Sequence, residues 1–254
     1  MIQVVILGTG NVATHLFRAF SQAPGIRVKQ IYNHDSKSLV PFENQVSTTT
    51  SINDLETADL FLLALKDDAI SQYGEKLKAC SGLVAHTSGA VSLEALKGPG
   101  RTGVFYPLQT FSKDLEVNYS SIPFCLESSD PKDMHLLQEV AMSLSAPAYE
   151  IDSHQRKQLH LSAVFVCNFV NYLYTVGQDL CEKHQIPFKI LEPLIMETAQ
   201  KIQQAPPRDV QTGPARRGDN NTIQAHLDIL KNPDHIAIYE LLTRAIQSEY
   251  GKKL

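Results

Sequence analysis

Residues 2–13 read Ile-Gln-Val-Val-Ile-Leu-Gly-Thr-Gly-Asn-Val-Ala. The first six form a short apolar run rich in β-branched side chains, which predicts a strand at the chain start. Residues 11–23 place Val12, Leu16, Ala19 and Phe20 on one stripe, the mark of an amphipathic helix. Between the two, Gly8 permits a tight turn. Gly10, with no Cβ, lets the backbone approach a ligand. Ala13, in place of a third glycine, keeps helix and strand close. The unpaired N–H groups and positive dipole end of a helix start suit phosphate. A GxGxxA pattern alone is weak, and it also suits a tight turn with no ligand. Here it joins a strand to an amphipathic helix, the context of a dinucleotide site. Gly8, Thr9, Gly10, Asn11, Val12 and Ala13 are therefore expected to hold a pyrophosphate.

Outward from this unit, apolar runs and helical patterns alternate. Strands are expected at 27–33, 45–49, 59–65, 82–87, 102–106, 122–127 and 147–151, and helices at 36–43 and 68–79. A further helix before the last strand has Asp130 as cap and Pro131 in its first turn. The alternation predicts an α/β fold, a Rossmann-type doubly wound, mainly parallel sheet. After Asp152 the pattern becomes helical: one long helix over Ser153–Lys183, another over 187–204, a breaker-rich loop over 205–219, and helices at 220–231 and 234–250. Residues 1–152 are expected to form the dinucleotide-binding domain. Residues 153–254 are expected to form a smaller all-helical domain for substrate and dimerisation, with a cleft between the two.

The net charge of −4 supplies no field to attract a polyanion, which argues against nucleic acid as partner. No unbroken apolar run reaches the ~18–20 residues of a bilayer span. The N-terminus lacks a basic leader, and the expected location is the cytoplasm, with no membrane partner. Cys80, Cys125, Cys167 and Cys181 show no CxxC pair. They are expected to be reduced and mostly buried, with no metal site.

The end of the second strand should meet the adenine ribose. An acidic residue there favours NAD. This chain reads Asn33-His34-Asp35-Ser36-Lys37. With Asn33 at the acidic position, no carboxylate repels a 2′-phosphate, and His34, Ser36 and Lys37 can bind one. That favours NADP. Asp35, two positions on, keeps NAD open, and Lys37 also suits a solvated surface. Leu65, closing the 59–65 strand, completes the cofactor set.

Ligands of doubly wound sheets lie beyond the carboxyl ends of the strands. Two polar segments are expected there, Ala85-His86-Thr87-Ser88-Gly89-Ala90 and Tyr106-Pro107-Leu108-Gln109-Thr110-Phe111. His86 and Ser88 are candidates to polarise a substrate or shuttle a proton. Each has an equal structural alternative, His86 as a buried strand histidine and Ser88 as a helix cap. Gln109 is a candidate substrate contact. On the long helix His160 and Asn168 are polar positions on an apolar stripe, costly unless partnered. They suit either a cleft wall or an internal hydrogen-bonded pair. Arg216 and Arg217, in a Gly/Pro frame, suit a small anionic substrate or nearby acids.

HTSGA, YPLQTF, LHLSAVFVCNF and TGPARRGD, with the glycine loop and DLFLLALKDDAI, resemble a specific family. It joins a Rossmann-like domain to a C-terminal domain of unknown function and is often labelled as NADP oxidoreductases, with no established reaction. Its wider superfamily includes pyrroline-5-carboxylate reductase, 6-phosphogluconate and β-hydroxyacid dehydrogenases, and deazaflavin-dependent oxidoreductases. The resemblance implies a helical domain that often dimerises, hence a homodimer. The hydroxyacid branch places a catalytic lysine four residues before an asparagine on the long helix. Here Val164 stands four before Asn168. The resemblance therefore implies the reductase branch, an NADP-dependent oxidoreductase acting on a small anionic substrate between the domains. Its rival is a non-catalytic NADP(H)-binding sensor or dimeric interaction protein.

Overall fold

The computed structural model describes residues 1–250. Two compact units divide the chain, Met1–Asn168 and a second that begins at Phe169. The first holds β1 (Ile2–Leu7), α1 (Asn11–Gln22), β2 (Ile26–Tyr32), β3 (Ser47–Thr49), β4 (Leu60–Leu63), α2 (Asp67–Lys76), β5 (Leu83–His86), β6 (Thr102–Pro107), β7 (Phe124–Ser128), α3 (Pro131–Ser143), β8 (Ala148–Glu150) and α4 (Ser153–Ala163). These strands make one eight-stranded sheet in the order β3-β2-β1-β4-β5-β6-β7-β8. All its pairings are parallel except β6 with β7. The fold is thus the Rossmann-type α/β sheet expected, followed by a helical part.

Strand alternation feeds two cores. Val4, Ile6, Leu60 and Leu62 join Leu16, Phe20, Phe105 and Leu137 on the face covered by α1 and α3. Val5, Leu7, Phe61 and Leu63 join Ile70, Tyr73 and Leu77 on the face covered by α2. A residue period of two thus buries both sides of β1 and β4. Asp130 caps α3 as expected, its side chain accepting from Lys132 N. The helix expected at 36–43 is a single 3₁₀ turn, Ser36–Leu39. Asp35 caps it by accepting from Lys37 N and Ser38 Oγ, which ties it at the turn.

The helix expected over Ser153–Lys183 changes hand-hold midway. After α4 comes a π-helical segment, Val164–Phe169, and then α5 (Val170–Lys183). The β-branched and aromatic run Val164-Phe165-Val166 favours α geometry weakly, so a local π turn is tolerated there. The second unit continues with α6 (Glu192–Gln204), α7 (Pro214–Arg217), α8 (Asn220–Ile229) and α9 (Pro233–Tyr250). The loop expected over 205–219 therefore contains one helical turn, bounded by Gly213 and Gly218 at positive φ.

Two expectations need correction. Ser153–Lys183 is long and apolar enough, by length and composition, to cross a membrane, with mean hydropathy 1.3 over its best window. Unbroken runs missed it because polar residues, His160, Asn168 and Asn171 among them, interrupt the apolar positions of 158–178. The cysteines are all free thiols, but only Cys125 and Cys181 are buried, while Cys80 and Cys167 are half-exposed.

Candidate active site

The chain reverses its order in the sheet between β1 and β4, and a crevice opens beyond their carboxyl ends. A cleft of about 660 Å³ lies there, within the first unit. Gly8 shapes its floor. It sits at φ +121°, and a Cβ built on it would meet the Ala64 carbonyl oxygen at 2.2 Å. Only glycine lets β1 turn this close to the end of β4. Gly10 is different, because a Cβ there would meet nothing within 4 Å. Its open side faces the space where a pyrophosphate would need to approach. Gly10 caps α1 with no side-chain hydrogen bond, and no acid stands in the first turn. The N–H groups at this helix start are left for an anion. This fits a dinucleotide. Ala13 is buried in the core, the close packing expected of it.

Gly8, Thr9, Gly10, Asn11, Val12, Asn33, His34 and Leu65 all line the cleft. Asn33 Nδ2 donates to Thr9 Oγ1 at 2.6 Å, locking the end of β2 to the glycine loop. Ser36 and Lys37 are exposed on the 3₁₀ turn and are not among the lining residues. Asn11 Nδ2 donates to the Phe111 carbonyl at 2.8 Å, tying the segment after β6 to α1.

The opposite wall comes from β5, β6 and α4. Ser88 lines the cleft, and its Oγ accepts from Ala90 N and Val91 N, both at 3.1 Å. It therefore turns the loop after β5, as its capping alternative required, and its own O–H remains a donor. His86 is fully buried. Its Nδ1 accepts from Ser88 N at 3.2 Å, and the Ser92 backbone lies close enough to favour the protonated ring in part. Burial, then the nearby Arg156 charge, pushes its pKa down to about 3. His86 is thus a buried neutral group whose ring accepts from the loop after β5, and it is not among the residues that line the cleft.

Tyr106 and His160 close the wall. The Tyr106 hydroxyl and His160 Nδ1 are 3.2 Å apart. Their rings meet edge to face, with centroids 6.1 Å apart. Burial pushes the Tyr106 pKa up to about 12, so the phenol keeps its proton at neutral pH. His160 sits one turn after Arg156, which is fully buried and anchors α4. Arg156 pairs with Glu127 and donates to the Val91 carbonyl at 2.6 Å and to Ser153 Oγ at 3.2 Å. The capping box of Asp152 and Gln155 fixes where α4 starts.

The remaining candidates lie elsewhere. Asn168 is exposed in the π segment and does not line the cleft. Gln109 is exposed, and its Oε1 accepts from Thr110 N at 2.8 Å. In the second unit Arg216 donates to the Gln211 carbonyl and lies over the Tyr250 ring, while exposed Arg217 is 4.0 Å from Asp219. Sequence reasoning gave no role to Lys66, Tyr73, Thr87, Gly89 or Tyr106, which all line the cleft. Tyr106 left a usable signal, a hydroxyl at the carboxyl end of an otherwise apolar strand. Lys66 is the only Lys or Arg among the lining residues.

Residues 122–246 match the model of a domain of unknown function, DUF2520. A Bacteroides fragilis protein whose name proposes an NADP oxidoreductase is 38% identical, with TM-score 0.90 over 97% of this chain and 98% of that one. A Thermotoga maritima protein matches with TM-score 0.72 at 18% identity, over 98% and 99% of the two chains. A pyrroline-5-carboxylate reductase from Coxiella burnetii matches with TM-score 0.61 at 16% identity, over 99% and 94%. These last two share the fold. No curated protein matches the chain. With its Rossmann-type sheet, its DUF2520 match over residues 122–246 and an end-to-end match at 38% identity, the chain belongs to the family of the Bacteroides fragilis protein.

Proposed function

We propose that this protein is an NADP-dependent oxidoreductase of the reductase type. One observation carries the reading: a single cleft joins the open Gly10 helix start to a wall bearing Ser88, Tyr106 and His160. The first half suits a dinucleotide and the second suits proton chemistry on a substrate. The names of the Bacteroides fragilis and Coxiella burnetii proteins support the same class. Bound NADPH would supply a hydride to a carbon of C=N or C=O. The chain's own groups would hold the phosphates at Gly10–Val12, orient the carbonyl or imine by the Ser88 O–H, and deliver a proton near His160.

NADP is preferred over NAD because the end of β2 presents an amide, Asn33, and no carboxylate. Asp35, the residue that kept NAD open, is engaged as a 3₁₀ cap. His34 lines the cleft where a 2′-phosphate would need a donor. Fluorescence titration with NADPH and NADH tests the cofactor. NADPH should bind at least about tenfold tighter, and Asn33→Asp should erase the gap. A panel of small cyclic imines and 2-keto acids with NADPH tests the reaction. Absence of NADPH binding, or binding without turnover of any panel member, overturns it, and the second result favours a sensor.

We further propose that the protein acts as a homodimer through its helical unit. Leu194, Met196, Ile202, Leu241 and Leu242 are all exposed there. A second copy covering them would bury apolar area of the kind a stable interface needs, about 800 Å² per partner. A bilayer is a poorer cover for the long helix, whose His160, Asn168, Asn171 and Thr175 would be desolvated. Light scattering should give a dimer at micromolar concentration, and Leu194→Asp with Leu241→Asp should give a monomer. A monomeric native protein overturns this.

A further inference from the structure

Tyr106 and His160 are more than two polar groups on one wall. A third residue leaves the room that their contact occupies. A Cβ built on Gly89 would meet His160 Nδ1 at 2.7 Å, Tyr106 Cζ at 2.7 Å and the Tyr106 hydroxyl at 2.9 Å. Glycine is thus the one residue that lets the loop after β5 lie against both functional atoms. The pair is also held from outside. Tyr106 is fixed in β6, where it pairs with Cys125 of β7. His160 is fixed by α4, whose Arg156 is clamped to Glu127 and Val91. Ser88 lacks such support, because the donors facing its Oγ are backbone amides that cannot refill a spent proton.

We propose that Tyr106 and His160 form a proton relay, with Tyr106 as the group that touches substrate and His160 as its proton source. The inference rests on the oxidoreductase reading of the cleft. The Tyr106 O–H bond breaks as its proton passes to the substrate nitrogen or oxygen. The Nδ1–H bond of a doubly protonated His160 ring breaks as that proton reforms the Tyr106 hydroxyl, leaving a neutral imidazole that keeps its Nε2–H. No phenolate is left in a buried position, where it would be costly. His160, half-exposed, regains a proton from water. The hydride and its electron pair come with NADPH, so the relay supplies one proton and the substrate gains one carbon–hydrogen bond and one N–H or O–H bond.

Tyr106→Phe keeps the ring and removes the hydroxyl. Three measurements on the full-length protein decide the matter: NADPH affinity by fluorescence titration, turnover of the imine and keto-acid panel, and the ¹⁵N resonance of His160 Nδ1 without cofactor. The NADPH Kd should stay within about twofold, while kcat falls about 100-fold or more with KM little changed, the usual loss for a general acid. His160→Asn should match it, and the double variant should lose no more than either single one, as groups acting as a unit do. The His160 Nδ1 resonance should shift in Tyr106→Phe. Gly89→Ala, with NADPH affinity retained, should lower kcat by about tenfold or more by parting the pair. Retention of more than about a third of kcat in Tyr106→Phe overturns the relay while the oxidoreductase reading stands. An unmoved His160 resonance also overturns it. If the unaltered protein turns over no panel member, the oxidoreductase reading falls and the relay with it.

Discussion

The two units spend similar apolar patterning in opposite ways. In the first, Val4, Val5, Ile6 and Leu7 are all 0% exposed, sealed by helices on both faces of the sheet. In the second, Cys181 and Ala215 are the only buried hydrophobic residues among those described, and Leu194 is 63% exposed. A helix stripe is buried only if another layer meets it. The sheet provides that layer for α1, α2 and α3, whereas α6 and α9 carry stripes with little against them. The difference separates a part that holds a site rigidly from a part whose stability is expected to depend on a partner surface.

Substitutions can break that contrast, the largest effect first. Phe105→Ala, in the first core, should cost about 3–5 kcal/mol in urea denaturation. Leu194→Ala, at low protein concentration, should cost under about 0.5 kcal/mol. Equal costs would erase the distinction. Arg156→Ala should cost about 3 kcal/mol, the low end for a buried pair because Glu127 remains 16% exposed. Arg156→Met should recover most of it if packing, more than charge, is what the site needs.

Acid should act on the first unit through His86. Its folded pKa, about 3, lies below the ordinary 6.5, so the unfolded chain takes up the proton first. The stability it contributes is present above pH 6.5 and is lost as pH falls toward 3. The slope should reach at most about 1.4 kcal/mol per pH unit, and His86→Gln should remove it, as read by denaturation at stepped pH. The smallest effect belongs to a cap, with Asp130→Ala costing about 1 kcal/mol by thermal melting.

The contrast also explains what was legible in the sequence. Gly8, Gly10, Ala13 and the Asp130-Pro131 helix start are local signals, and the structure carries them as expected. The 59–65 run showed a strand buried on both faces because periodicity vanishes when both sides are apolar. The far wall of the cleft was harder. Ser88, Tyr106 and His160 stand far apart in the chain, and only the order β4-β5-β6 and the start of α4 bring them together. Asp35 looked free to bind a ribose until the 3₁₀ turn claimed it. Arg156 drew no attention in the sequence and is fully buried, because its partners Glu127 and Val91 belong to distant segments. His86 and Ser88 each had two equal roles on paper, and hydrogen-bond partners, which no spacing reveals, separated them.

Gly89 supplies a marker that needs no laboratory. Any replacement brings a Cβ to within 2.7 Å of His160 Nδ1. Position 89 should therefore behave as a lock whose state reports on two other positions. A relative that keeps tyrosine and histidine at 106 and 160 should keep glycine at 89. One that has gained a side chain there should have lost or moved at least one of the two. Sorting relatives by these three letters would divide those equipped for this proton chemistry from those that retain the nucleotide fold for another use.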